Sequence, residues 1–188
     1  IVLRETDSLL DVKRTNGEAL IGLASSKGKM VKFPENDVRP IGRTATGVKG
    51  MDLDANASLI GLTSSLEGNN ILVITLNGYG KMSDFEDYRQ SHRGTKGVIT
   101  INVTNKNGRI VAMRAVKGDE DLMMITNGGT LIRMPLSQIK IVGRNTQGVR
   151  VIRLDDEKQR VSSIAIISSD DISGEEETPV EENPAKAE

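Results

Sequence analysis

A chain of 188 residues is long enough to bury a sizeable core as one domain or two small ones. With no Cys or Trp, one His, two Phe and two Tyr, it cannot form disulfides or thiolate metal sites, and it offers almost nothing for stacking on bases. The net charge of −1 hides a segregation of sign: residues 170–188 hold eight acids and one base, whereas residues 1–169 carry 24 bases and 18 acids, a net of +6.

The chain opens with Ile1-Val2-Leu3-Arg4, which is neither a signal peptide nor an initiator-Met sequence, so it is expected to be a piece of a longer protein. Residues 1–16 read as half of a repeating unit, with a third strand at Ile1–Leu3 and a fourth at Leu9–Lys13. A full unit follows at 17–66. Its strands are expected at Leu20–Ala24 and Met30–Phe33, joined by a turn at Gly28, then from Gly47-Val48, and last at Leu59–Ser64. The next unit, 67–117, repeats this with Ile71–Leu76, a turn at Asn77-Gly78, Lys81–Ser83, Val98–Val103 and Ile110–Val116. The last, 118–169, gives Leu122–Thr126, a turn at Gly128-Gly129, Leu131–Met134, a strand from Gly148-Val149, and Val161–Ile167. The runs are rich in β-branched residues, the glycines supply the positive φ of hairpin turns, and Val98–Val103 alternates with the period of a strand. Residues 170–188, acidic and poor in large apolar groups, are expected to be disordered.

The three units align without gaps at offsets of 50 and 51 residues. Each carries the string R-x-[AT]-x-G-V, at Arg43–Val48, Arg93–Val98 and Arg144–Val149. Leu3, Leu53, Val103 and Leu154 keep the same spacing. Units of about 50 residues with four strands are the size of propeller blades, which must stack to bury their faces. No segment sustains a helical apolar stripe over three turns. The fold predicted is all-β: four-stranded antiparallel blades in a propeller-like, incomplete arc of about three and a half blades.

Catalysis finds little support. His92 is alone, no Ser or Thr stands beside an activating base, and the acid pairs Asp52/Asp54 and Asp155/Asp156 fall in turns. No apolar run approaches the roughly 20 residues of a membrane span. The cations are the better candidates. Arg43, Arg93 and Arg144 recur at one place in each unit, with Lys49, Lys96 and Arg150 nearby and His92 in the second loop. Lys27, Lys29 and Lys32, then Lys81, then Arg133 sit on the successive hairpins. Blades related by a fixed rotation would place such a set along one rim, able to meet DNA phosphates without reading bases. The competing role for the arginines is to brace their own loops through carbonyls or an acid of the neighbouring blade, and for the lysines to be plain solvated surface.

The stretches Asn77-Gly-Tyr-Gly-Lys81, Thr95-Lys-Gly-Val-Ile99, Met124-Ile-Thr126, Ile141-Val-Gly-Arg-Asn-Thr-Gln-Gly-Val149 and Arg43-Thr-Ala-Thr-Gly-Val48 resemble the last blades of the C-terminal domain of the DNA gyrase A subunit. The resemblance implies a β-pinwheel whose blades exchange strands, wound by duplex DNA along its basic edge. It implies a non-catalytic part of an ATP-hydrolysing type II topoisomerase in the bacterial cytoplasm. Its partners would be duplex DNA, the rest of the A subunit, plus the gyrase B subunit; no membrane is implied. No cofactor would bind this part, ATP and magnesium being used elsewhere in the enzyme. The family's Q-R-R-G-G-K-G box is absent, its nearest string being Gln90-Ser-His-Arg-Gly-Thr-Lys-Gly97. Tyr79 and Tyr88 correspond to no nucleophile of that family. The alternatives are the DNA-bending domain of the topoisomerase IV A subunit, or a propeller-type protein-binding scaffold.

Overall fold

The structure is a computed structural model that describes residues 1–154, 156 and 158–168. The acidic segment 170–188, expected to be disordered, lies outside the described residues.

Among the described residues eleven strands follow in chain order. The first unit contributes β1 (Leu20–Ser25), β2 (Lys29–Pro34) and β3 (Leu59–Ser64). The second gives β4 (Asn70–Thr75), β5 (Tyr79–Asp84), β6 (Val98–Ile99) and β7 (Ile110–Val116). The third gives β8 (Asp121–Thr126), β9 (Leu131–Pro135), β10 (Val149–Arg150) and β11 (Val161–Ile167). Each hairpin closes the same way. Gly28, Gly78 and Gly129 take φ of +89°, +78° and +81°, and each donates its N–H to the carbonyl three residues back, on Ser25, Thr75 and Thr126. Only glycine adopts that backbone without penalty.

The sheets do not coincide with the repeats. The first is ordered β3-β1-β2-β6 and the second β10-β5-β4-β7, whereas β11-β8-β9 has three strands among the described residues. The Gly-Val strand of the second and third units, expected within its own blade, is instead lent to the preceding one: β6 pairs with β2 through Met30↔Val98, and β10 with β5 through Gly80↔Val149. These strands are also shorter than Val98–Val103 suggested. After two residues the chain lifts from the ladder, and the N–H groups of Thr100 and Ile101 converge on the carbonyl of Gly28, as those of Val151 and Ile152 do on Gly78.

The same rule explains the first unit. Its Gly47-Val48 segment forms no strand, because the hairpin it would join is one unit upstream and residues 1–16 provide none. The strands expected at Ile1–Leu3 and Leu9–Lys13 are likewise absent, and Ile1, Leu9 and Val12 are 66%, 61% and 72% exposed.

The middle sheet is buried on both faces. Ile71 and Val73 point into a core shared with Met30, Phe85, Tyr88, Ile101 and Met113. Leu72 and Ile74 point into a second core with Leu122, Met124, Leu136, Ile152 and Val161. This is why β4 reads as a continuous apolar run. By contrast β8 buries Leu122 and Met124 but exposes much of Ile125. The first sheet covers its other face with a smaller cluster of Ala19, Ile21, Leu23, Val31, Phe33 and Met51.

Candidate nucleic-acid interface

The repeated arginines resolve into a clasp between units. Arg93 donates from Nε to the carbonyl of Asp37 (3.0 Å) and from Nη1 to that of Lys49 (3.0 Å). Arg144 makes the same pair of bonds to the carbonyls of Asp87 and Ile99, both at 3.1 Å. Asp37 and Asp87 end equivalent 3-10 turns, Glu35–Asp37 and Phe85–Asp87. Each guanidinium therefore ties a turn and a Gly-Val segment of the preceding unit together, a use suited to its rigid fork of donors. Arg43, whose partners would lie one unit upstream, is exposed and has no hydrogen bond or ion pair among the described residues.

Two lysines expected on the rim are inside. Lys32 is 4% exposed, donates to the carbonyl of Phe85 (2.9 Å) and lies over the Phe85 ring. Lys81 is fully buried and donates to the carbonyls of Gly143 (2.8 Å) and Arg144 (2.7 Å), clamping the loop of the next unit. The physical reason is the strand exchange: the lent segment and its loop lie over β2 and β5 and cover side chains that a four-strand blade would leave in water. Burial lowers the pKa of Lys81 to about 8, with Asp87 opposing and Arg144 assisting. The unfolded chain then holds a proton that the native state has lost between about pH 8 and the ordinary lysine value. Stability should rise with pH through that window and fall as pH drops through about 8. Chemical unfolding followed across pH 7–10 should show this slope, up to about 1.4 kcal/mol per pH unit, in the parent and not in Lys81→Met.

Most of the remaining candidates are neutralised locally. Lys29 and Lys96 share Asp54 at 2.8 and 3.0 Å, and their hydrogen bonds hold its carboxyl down at about 2. Lys49 pairs with Asp52, Arg133 with Asp121, and Lys27 donates to the carbonyl of Ala55. The His92 ring is 90% exposed and meets Asp37 at 3.1 Å. Such surface pairs hold little energy and yield readily to another anion.

Arg150 stands apart, because it opens a site the repeat pattern did not reveal. It lines a cleft of about 620 Å³ with Asn77, Tyr79, Asn105, Lys106, Ile152, Arg153, Leu154 and Arg160. Tyr79 lines it with Lys106 (5.5 Å) and Arg150 (5.6 Å) over its ring, and its hydroxyl accepts from Arg150 (3.1 Å). Lys106 and Arg153 are exposed, and Arg153 has no hydrogen bond or ion pair among the described residues. Four cations therefore face one concavity, and no acid lines it among the described residues. Lys106 and Arg153 were missed because they do not recur. The position of Arg153 is Asp52 in the first unit and Asn102 in the second, and that of Arg150 is Lys49 and Ile99. A neutral Lys49–Asp52 pair in one unit thus becomes two arginines with no acid partner among the described residues in another.

The strand lent to the preceding sheet, the arginine clasp and the stacked double-faced sheets define the class: a strand-exchanged, propeller-like β repeat protein with a cationic cleft between its last two units. The chain belongs to the family described as DNA gyrase C-terminal domain, beta-propeller, which it matches over residues 23–65, 69–117 and 120–168. It is 43% identical over 184 residues to the DNA gyrase A subunit of Staphylococcus aureus strain NCTC 8325 / PS 47, covering 97% of this chain and 20% of that protein. It is 44% identical over 172 residues to the same protein from strain MRSA252, covering 90% and 19%. The chain thus spans about a fifth of the length of these curated relatives. Among solved structures it resembles the C-terminal domain of DNA topoisomerase IV, with a TM-score of 0.83 at 23% identity over 90% of this chain and 53% of that one. It also resembles the DNA gyrase A C-terminal domain, with a TM-score of 0.74 at 24% identity over 80% and 51%. Both likenesses speak to the fold. Among the described residues no helix is long and apolar enough to cross a membrane.

Proposed function

We propose that the chain is a non-catalytic DNA-wrapping module of a bacterial DNA gyrase A subunit, holding duplex DNA by its phosphates. The observation that carries this is the cleft on which Lys106, Arg150 and Arg153 converge, with no acid in its lining among the described residues. Family membership supports the reading. Lys27, Lys29, Lys49, Lys96, Arg133 and His92, each bonded to an anion or carbonyl of its own surface, would supplement the cleft by exchanging those partners for phosphates. Arg43 would contribute directly. Binding of this kind is independent of sequence and falls steeply with salt, by about 0.9 log units of affinity per decade of salt for each phosphate neutralised. Among the described residues the helices are single 3-10 turns, none long enough to lie in the major groove, so base readout is not expected. Titration of duplex DNA at several salt concentrations tests the reading; affinity that does not respond to salt, or strong preference for one site, would defeat it.

In this proposal the rest of the gyrase A chain, together with its B partner, carries out strand passage and the ATP and magnesium chemistry, and the wrapped DNA supports negative supercoiling in the cytoplasm. The bent duplex costs on the order of 1–6 kcal/mol over 20–30 base pairs, so several contacts must act together. The seven-charge acidic excess of residues 170–188 competes with DNA for the same cations. Deleting those residues should therefore tighten DNA binding several-fold at low salt, an effect that shrinks as salt rises. Equal affinity of the two chains at low salt would remove the tail from the account.

A further inference from the structure

A second recurring cation stands close to the clasp. With the three units aligned, all carry a cation at only two places: that of Arg43, Arg93 and Arg144, and that of Arg39, Arg89 and Lys140. The backbone holds the second set alike in every unit. Each lies two residues beyond a 3-10 turn, and the residue before it donates its N–H to the first carbonyl of that turn: Val38 to Glu35, Tyr88 to Phe85 and Ile139 to Leu136. Tyr88 and Ile139 are buried and anchor the chain there. The cations themselves are exposed, and their side chains make no hydrogen bond or ion pair among the described residues. Arg89 has a neighbouring unit on each side and is still unpaired, so the freedom of this place does not come from a chain end.

We propose that Arg39, Arg89 and Lys140 form a phosphate track for duplex DNA, one cation per unit, which runs on into the cleft at Arg150. The inference rests on the DNA-wrapping reading and gives the duplex its course across the units. Gln90, next to Arg89, bridges to Lys32 of β2, and Ile141, next to Lys140, bridges to Met82 of β5. Arg150 lies on the same flank of β5, opposite Tyr79, about 10 Å along the strand from Met82. Track and cleft therefore share one flank of the middle sheet. Stacked sheets lie about 10 Å apart, so successive cations of the track are separated by at least roughly three phosphates of one DNA strand. Lys29, Lys49 and Lys96 must release an acid before they can meet a phosphate; Arg39, Arg89 and Lys140 need release none. Three equivalent positions on successive units also define a direction, which a single cleft does not.

The test is a titration of the 188-residue chain with duplex DNA at several salt concentrations, alongside Arg39→Gln, Arg89→Gln and Lys140→Gln combined. The variant should keep the urea-unfolding midpoint of the parent, because the three side chains hold nothing in the fold. It should bind roughly tenfold or more weakly at low salt, and its plot of log affinity against log salt should be flatter by about 3. Arg4→Gln, Arg14→Gln and Lys158→Gln combined remove the same charge from exposed side chains that likewise have no bond or ion pair among the described residues. That variant should keep most of the parent slope. A track variant with the parent's slope overturns the track and leaves the cleft standing, and equal losses in the two variants overturn it in favour of net charge alone. A parent chain whose binding ignores salt defeats the DNA-wrapping reading itself, and the track with it.

Discussion

Replacing Gly97 with alanine is expected to destabilise the chain by about 3 kcal/mol or more, a large share of the stability of an ordinary domain. Gly97 is the point at which the second unit crosses onto the first. Its φ is +71°, and a Cβ there would lie 2.2 Å from the carbonyl oxygen of Met30 and 2.5 Å from its carbonyl carbon. The left-handed backbone alone costs an L-residue roughly 1–2 kcal/mol, and the clash is with backbone, which cannot swing aside. The strand Val98–Ile99 must leave β2 or drag it along, and Ile101 is then drawn from the shared core. Equilibrium urea unfolding should show the loss. Gly143→Ala is the matched control: it has an ordinary φ and nothing within 4 Å of the added carbon, so a change within about 0.5 kcal/mol is expected. Similar losses for the two variants would mean that the crossover contributes nothing particular.

The second large effect belongs to the cleft. Lys106→Ala, Arg150→Ala and Arg153→Ala combined should weaken duplex DNA binding roughly ten- to a hundredfold at low salt, and should flatten the plot of log affinity against log salt by about 3. Arg93→Ala provides the contrast. Its guanidinium is spent on the carbonyls of Asp37 and Lys49, so its loss should lower stability and leave the salt slope nearly unchanged. If the two variants swapped these signatures, the cations of the clasp would be the DNA contacts and the cleft would not.

Nearly every strand was legible, and the reason is local. Leu20–Ala24, Ile71–Leu76 and Leu122–Thr126 announce themselves by β-branched runs ending in glycine turns, and the structure places strands there to within a residue or two. The sheet each strand joins was not legible from spacing. Periodicity fixes where Val98 sits within its unit, but the string Arg93–Val98 reads the same whether it closes its own blade or the one before; the family resemblance alone suggested exchange. The burial of Lys32 and Lys81 was hidden for the same reason, since the cover over β2 and β5 comes from a distant loop. The clasp was one of two roles open to the arginines, and the structure gives it to Arg93 and Arg144. The cleft escaped because attention to what recurs passes over Lys106 and Arg153, which do not.

The lending of strands forward has a consequence for synthesis. The edge of β2, complete in itself by Pro34, is sealed only when Val98 arrives, and that of β5 only when Val149 does. On a ribosome each newly made sheet must therefore wait, with one flank open, for much of its successor to emerge. The nascent chain matures one unit behind its own growth.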